Sequence, residues 1–199
     1  MKRIGSVVLC CIGVAAIGTG AALADSGNST PNPNQVAAQQ CTNELHTMGV
    51  KAFKPLYGDN DPKFQHAMRN CQRKHRQSGE NVIGNASQQC RAEQSDPTTI
   101  PGNTSGLTFD QFYGTNENGR NAFGKCVSGK VQAAEAQQEQ NLQNAAQQCR
   151  AERKDPATIP NNSSGKSFTD FYGSNHNKKN AFGKCVSQKA KALGTSTTS

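Results

Sequence analysis

An internal repeat limits what this chain can fold into. Residues 85–130 and 144–189 align without a gap at an offset of 59 and share 31 of 46 positions. Both copies open with QQCRAE, carry FYG in the middle and end with NAFGKCVS. A shorter, degenerate copy precedes them, opening with AAQQC at 37–41 and ending with AMRNC at 67–71. The sequence therefore predicts one structural unit used three times.

Each unit carries two cysteines. The pairs are Cys41 and Cys71, Cys90 and Cys126, and Cys149 and Cys185. In an exported protein, an even set of cysteines indicates a disulfide framework. Many pairings are possible, but a unit that folds by itself has to close on itself, so we predict one bridge within each unit. Each bridge would close a loop of about 31–37 residues, worth about 3.5–4 kcal/mol in the chain-entropy treatment.

Large apolar side chains are scarce outside the amino terminus. Residues 25–199 contain 22 Leu, Ile, Val and Phe in 175 positions. This lies below the level of roughly 20% at which a chain normally builds a core unaided. One large core and enzyme folds with long buried sheets are therefore excluded. No stretch after residue 24 is apolar for long enough to cross a membrane.

The amino terminus has the layout of a secretory signal peptide. Lys2 and Arg3 precede an apolar run, and Ala22-Leu23-Ala24 forms a cleavage site. We predict a signal peptide over 1–24, cleavage after Ala24 and a secreted or extracytoplasmic protein. The alternative, an uncleaved anchor, is disfavoured by the polar residues that follow. Polar composition predicts a disordered leader over 25–35 and a disordered tail over 194–199.

Helix formers and breakers outline each unit. We divide the chain into unit 1 (36–84, degenerate), unit 2 (85–143, with a connector) and unit 3 (144–193). In unit 3 a helix is predicted to stop at Asp155-Pro156, because a residue before proline avoids the helical region. After a loop, Ser167 is predicted to cap a short aromatic helix. A second long helix then runs to about residue 193.

The two joints between units differ in composition. Residues 77–85 contain two glycines, which predict a flexible break between units 1 and 2. Residues 131–153 contain no glycine or proline and keep helical spacing, which predicts one long helix joining units 2 and 3. The expected fold is therefore all-α, with three tandem disulfide-stapled helical hairpins of which the last two share a long helix.

Positive charge is concentrated in the third unit. Residues 36–84 carry a net charge of +3, residues 85–143 carry −2 and residues 144–199 carry +6. A basic face attracts polyanions, so an anionic polymer of the cell envelope is a candidate partner. The candidate binding residues are Lys178, Lys179, Lys184 and Lys191. Alternatives are a solvated charged face, or self-association through the opposite charges of units 2 and 3.

Unit 1 contains a cluster with metal-ligand chemistry. Its members are Cys41, His46, His66, Cys71 and His75. Cys71 and His75 are four residues apart, so both could reach one zinc ion from one helix face. The cysteines nevertheless stand at the bridged positions of units 2 and 3, which favours a disulfide. We therefore predict no metal and no cofactor, and keep a metal-binding or thiol-redox protein as the alternative function.

Catalytic and calcium-binding patterns are absent from the sequence. No histidine and no pair of carboxylates recurs in all three units, so we predict that the protein is not an enzyme. The turns at 116–119 and 59–61 hold too few carboxylates for calcium, and the FYG motif is interpreted as core. The sequons are relevant only in a glycosylating host. They stand at Asn28, Asn85, Asn103, Asn161 and Asn162.

The combined pattern QQCRAE…FYG…NAFGKCVS resembles Cys-paired helical repeats of secreted bacterial proteins that have no assigned activity. The resemblance covers residues 85–189 well and 36–77 weakly. It implies export and a bacterial origin, and it carries over no functional residue. The sequence as a whole predicts an exported, non-enzymatic structural or interaction protein, binding polyanions through its basic third unit.

Overall fold

The computed structural model describes residues 31–58 and 64–196. Within these ranges the chain is all-helical, with no strand. The α-helices are α1 (Pro33–Met48), α2 (Val50–Tyr57), α3 (Gln65–Ser95), α4 (Phe109–Tyr113), α5 (Ala122–Lys154), α6 (Phe168–Tyr172) and α7 (Ala181–Ser196). Two short 3-10 turns, Pro97–Thr99 and Pro156–Thr158, follow α3 and α5. The predicted fold class is confirmed.

Some predicted features lie outside the described residues. They are the signal peptide, residues 25–30 of the leader, the turn at 59–61 and the last three residues of the tail. No helix in the described ranges combines the length and the apolar character that a membrane crossing requires.

The prediction of a disordered leader up to residue 35 is wrong at its end, because α1 begins at Pro33. The Asn32 side chain accepts a hydrogen bond from the backbone N–H of Asn34, and the Gln35 side chain accepts one from the backbone N–H of Asn32. This is a capping box with proline at the first helical turn, a strong helix start. The polar residues that composition assigns to a disordered leader therefore cap and begin helix α1.

Units 2 and 3 break and restart their helices with the same local chemistry. Asp96 and Asp155 each end a long helix, and each accepts a hydrogen bond from the backbone two residues on, which starts a 3-10 turn. Thr108 and Ser167 then cap α4 and α6, accepting from the backbone N–H three residues on. The predicted stop at Asp155-Pro156 and the predicted Ser167 cap are confirmed.

Two asparagines hold the loops before α4 and α6. Asn103 Nδ2 donates to the carbonyls of Pro97 and Leu107, and its Oδ1 accepts from the Leu107 N–H. Asn162 makes the same three bonds to Pro156 and Lys166. Because the side-chain amides are engaged in the loop, glycosylation at these two sequons would disrupt it.

The three predicted disulfides are confirmed. Cys41 is joined to Cys71, Cys90 to Cys126 and Cys149 to Cys185. All six sulfurs belong to fully buried residues. Each bridge ties together two helices that carry the first and second cysteine of one unit, namely α1 and α3, α3 and α5, or α5 and α7.

The predicted flexible break at 77–85 is wrong. These residues lie inside α3, which runs without interruption from unit 1 into unit 2. Gly79 is buried where the amino end of α1 crosses α3, and a Cβ there would approach the Pro33 carbonyl oxygen to 2.8 Å. Tertiary packing therefore offsets the helix cost of glycine, about 1 kcal/mol. A residue that weakens a helix in isolation permits this close crossing.

The predicted long connector is confirmed as α5, which spans 33 residues and includes Gly129. The predicted disordered tail is wrong for residues 194–196, which continue α7. Ala190 and Leu193, just before these residues, pack against the larger core.

The apolar residues form two cores that do not follow the order of the units. The smaller core belongs to unit 2 and takes in Val36 from α1. The larger core combines units 1 and 3, with Phe53 of α2 and Val186 of α7 in the same cluster. Helix α2 lies against α7 at Gly183, where a Cβ would stand 3.0 Å from the Ala52 carbonyl oxygen. Unit 1 is therefore docked on unit 3.

Candidate functional site

A buried ion pair with a tyrosine stands beside the disulfide of unit 3. Tyr172 donates its hydroxyl to Glu152 Oε2 over 2.8 Å, and Lys189 Nζ lies 2.8 Å from the other oxygen, Oε1. Glu152 Oε2 is also 3.7 Å from the Sγ of Cys185. Glu152 is 6% exposed, and it satisfies both carboxylate oxygens inside the protein.

The same arrangement recurs in unit 2. Tyr113 donates to Glu93 Oε2 over 2.8 Å, and Lys130 Nζ lies 2.7 Å from Glu93 Oε1. Glu93 Oε2 is 3.6 Å from the Sγ of Cys126. We refer to these clusters of Glu, Tyr and a basic side chain as the triads.

Unit 1 has a triad in which histidine replaces lysine. Tyr57 donates to Glu44 Oε2 over 2.5 Å, and His75 Nε2 lies 3.0 Å from Glu44 Oε1. His75 Nε2 is also 3.0 Å from the Tyr57 hydroxyl. The three members therefore contact one another directly.

The spacing of the triads was visible in the sequence, but our sequence analysis missed it. The glutamate always follows the first cysteine by three residues, and the basic residue follows the second by four. These offsets place both side chains one turn from the disulfide on the same helix faces. Only one carboxylate, the glutamate of the triad, recurs in all three units. The sequence criterion required a recurring pair of carboxylates, and a single glutamate does not meet it.

Burial of the triads raises the pKa of their phenols. Desolvation is the largest cause, followed for Tyr113 by its hydrogen bond to the Glu93 carboxylate, and together these raise its pKa to about 12. The pKa of Tyr57 and that of Tyr172 are also raised, again mainly by burial. An ionised phenol beside a buried carboxylate would be repelled, so each triad requires a protonated tyrosine.

Alkaline pH is therefore expected to unfold the protein as its tyrosines ionise. The folded pKa of each phenol exceeds the unfolded value of about 10, so their contribution is complete below pH ~10 and is lost as the pH rises towards the folded pKa. The chain has only three tyrosines, one in each triad. Tyrosinate absorbance should thus rise together with the loss of helical circular dichroism. Tyrosinate that forms while helicity stays intact would contradict the triads.

The proposed metal cluster of unit 1 is only partly assembled. Among the described residues, Cys41, Cys71 and His75 have ligand atoms within 4.8 Å of one another. The two sulfurs are joined in a disulfide, and His75 Nε2 is paired with Glu44. His46 and His66 are exposed and stand outside this group. The oxidised protein thus offers no thiolate ligand to a metal ion here.

A basic groove lies where unit 1 meets unit 3. It encloses about 330 Å³. Its basic lining consists of Lys51 from α2, Arg150 and Arg153 from α5, and Lys179 from the turn before α7. Its apolar lining consists of Met48, Ala52 and Phe182. No carboxylate is among these described lining residues, so four positive charges face one small space.

The two arginines of the groove are held in place. The guanidinium carbons of Arg150 and Arg153 lie 5.8 Å and 5.4 Å from the centre of the Phe182 ring. Arg150 also donates from Nη2 to the carbonyl of Thr47, at the end of α1, over 3.3 Å. Cation–π contacts and a hydrogen bond restrict side chains that would otherwise be mobile on the surface.

The four lysines predicted from the sequence do not form one site. Lys179 lines the groove. Lys178 forms an ion pair and hydrogen bond with Asp170. The Lys178 ammonium and a hydrogen bond from the Ser167 hydroxyl hold the pKa of the Asp170 carboxyl below its usual value. Lys184 is half-buried and Lys191 exposed on α7, and neither lines the groove. Sequence analysis identified the basic unit, but it missed Lys51, Arg150 and Arg153.

Unit 2 provides a comparison within the same chain. At the positions of Arg150, Arg153 and Lys179 it has Arg91, Gln94 and Arg120. Its core includes Val36 from α1, whereas the groove of unit 3 is completed by the end of α1 and the start of α2. At these three matching positions unit 2 thus has two cations where unit 3 has three.

No protein-family model, curated protein or solved structure matches this chain. Function is therefore inferred from the groove and the triads themselves.

Proposed function

We propose that the protein is an exported, non-enzymatic binding protein that holds anionic polymers in the groove between units 1 and 3. The observation that carries the proposal is the set of four cationic side chains that line one groove together with Phe182, with no carboxylate among the groove's described lining. Like charges brought together at this density repel one another unless an anion lies between them.

The distribution of charge supports the same function. The groove joins the two basic units, of net charge +3 and +6, whereas unit 2 carries −2. Long-range attraction therefore directs a polyanion towards the face that holds the groove. Two of the four cations are arginines anchored on Phe182, so binding orders few additional side chains.

The remaining chemistry suits a scaffold. The carboxylates of the three triads are buried and fully paired with a tyrosine and a basic side chain. Three buried disulfides are typical of proteins outside the cytoplasm, and the predicted signal peptide is consistent with export. An anionic polymer of the cell envelope is the partner that this compartment offers.

Retention on an anionic resin tests the location of binding. We expect the Arg150→Glu, Lys179→Glu variant to elute at clearly lower salt than the wild type, because it reverses charge inside the groove. The matched control is Arg91→Glu, Arg120→Glu, which reverses the corresponding charges in unit 2 and changes the net charge equally. Equal shifts for the two variants would show that net charge alone decides retention, and would contradict the groove.

A second variant separates the groove from the rest of unit 3. Reversal of Lys184 and Lys191, which lie outside the groove, should shift elution less than reversal of Arg150 and Lys179.

If all four lysines predicted from the sequence are reversed, including Lys178 and Lys179, retention should be lost. A quadruple variant that elutes like the wild type would contradict polyanion binding by unit 3.

A further inference from the structure

We infer that the ligand group recognised by the groove is a phosphate monoester, bound through its phosphate to Arg150 and Arg153. The organic part to which the phosphate is attached would lie on the apolar floor. This inference rests on the proposed function and specifies its chemistry: the groove would hold a terminal phosphate, which is a monoester, rather than a diester within an anionic polymer. It makes the groove a discrete site for one group per chain rather than a diffuse basic surface.

The arginine pair favours a tetrahedral oxyanion. Guanidinium groups present several N–H donors in a fixed fork that matches phosphate oxygens, whereas an ammonium acts as a point charge. Arg150 and Arg153 stand one helical turn apart on α5 with their guanidinium groups over the same Phe182 ring. The ring restricts both side chains, and Arg150 also donates to the Thr47 carbonyl, so donors are in place before the ligand arrives.

The number of cations favours a doubly charged group. Lys51 and Lys179 add two positive charges to those of the arginines. A phosphate monoester carries about −1.5 to −2 at pH 7, whereas a carboxylate or a sulfate ester carries a single charge. The monoester therefore compensates more of the repulsion within the groove.

The floor of the groove accommodates the organic part of the ligand. Phe182 is half-buried, and Met48 and Ala52 beside it are each 7% exposed. The two guanidinium groups lie over the Phe182 ring, so the part of the ligand next to the phosphate can contact the apolar surface that remains exposed beside them. Because Lys51, Met48 and Ala52 come from unit 1 and the remaining lining from unit 3, the ligand would contact both units at once.

Calorimetric titration with phenyl phosphate tests the inference, with phenyl sulfate and benzoate as singly charged ligands of similar shape. We expect one phenyl phosphate per chain, bound at least about ten-fold more tightly than either comparator. Between about pH 7.5 and pH 5 the affinity for phenyl phosphate should fall, because the phosphate takes up a proton near pH 6. Phenyl sulfate should show no such change, because lysine and arginine stay charged in this range.

One substitution in the groove and one arginine substitution in unit 2 locate the site. Arg153→Gln gives unit 3 the residue that unit 2 has at Gln94, and should weaken phenyl phosphate about ten-fold or more, the effect of one lost charged hydrogen bond. Arg91→Gln, at the position of Arg150 in unit 2, should leave the affinity unchanged. Both arginines are exposed, so neither change should affect folding.

The possible results separate this inference from the proposed function. Equal affinity for phenyl phosphate and phenyl sulfate, or an unaltered Arg153→Gln variant, would overturn the phosphate monoester. Groove-dependent retention on an anionic resin would then still stand by itself. Co-sedimentation with phosphatidic acid vesicles, tested with and without competing phenyl phosphate, distinguishes a lipid headgroup from a soluble ligand. Binding to the vesicles that phenyl phosphate displaces would indicate a lipid headgroup, and absence of binding would indicate a soluble ligand. In both cases the bound group is a phosphate monoester.

Discussion

Replacing Cys149 and Cys185 by alanine is expected to lower the unfolding free energy by about 4 kcal/mol and to loosen unit 1 together with unit 3. The first effect follows from the chain entropy released when a cross-link between positions 36 residues apart is removed. The second follows from the shared core, in which both sulfurs pack in the same cluster as Phe53 of α2. Urea denaturation measures the first effect.

Hydrogen exchange of the α2 amides measures the second effect, and unit 2 supplies the control. Replacing Cys90 and Cys126 by alanine opens a loop of the same length, so the loss of stability should be similar. These cysteines lie in the smaller core, which contains no residue of α2. Protection of α2 should therefore fall in the first variant and persist in the second. Equal protection in both would show that units 1 and 3 are independent.

Sequence reasoning was most successful where a feature depends on local chemistry. The Asp155-Pro156 stop, the Ser167 cap and the long helix α5 each follow from a few neighbouring residues, and the structure confirms them. The disulfide pairing followed from the assumption that each unit closes on itself, and it is also confirmed. That assumption does not extend to the apolar cores, because unit 1 shares its core with unit 3.

The errors arose where tertiary contacts override local preference. Gly79 reads as a helix breaker, yet it lies where α1 crosses α3 and leaves no space for a Cβ. Residues 33–35 read as disordered because they are polar, although they form the start of a capped helix. In both cases composition describes the isolated chain, whereas the packed protein selects the helix.

The groove could not be derived from the repeat. Its basic residues come from unit 1 and unit 3, which are separated along the chain by unit 2. Nothing in a periodic pattern states that unit 1 docks on unit 3, so Lys51 had no visible relation to Arg150 or Arg153. The triads differ in this respect, because their offsets from the cysteines recur in all three units and could have been found by alignment alone.

Removing the carboxylate of one triad is the second change with a large expected effect. Glu152→Ala should destabilise the protein by about 3 kcal/mol, because Lys189 and the Tyr172 hydroxyl lose a buried partner. The side chain of Lys189 is 16% exposed, so part of its charge can still reach water. Because Lys189 stays partly hydrated, the expected loss of unfolding free energy is at the lower end of the range for a broken buried ion pair.

A full apolar replacement of the triad should behave differently from the single change. Glu152→Leu combined with Lys189→Met and Tyr172→Phe removes every polar group at once, and should recover stability to within about 1 kcal/mol of the wild type. Chemical denaturation of the single and triple variants measures both values. A single variant as stable as the wild type would mean that the triad is solvated. A triple variant as unstable as the single one would mean that the ion pair itself stabilises unit 3.

The expected pattern instead assigns the triad a role in specificity. Burial of Glu152 is favourable only when α5, α6 and α7 meet in the observed register. That register also places Arg153 beside Phe182 in the groove.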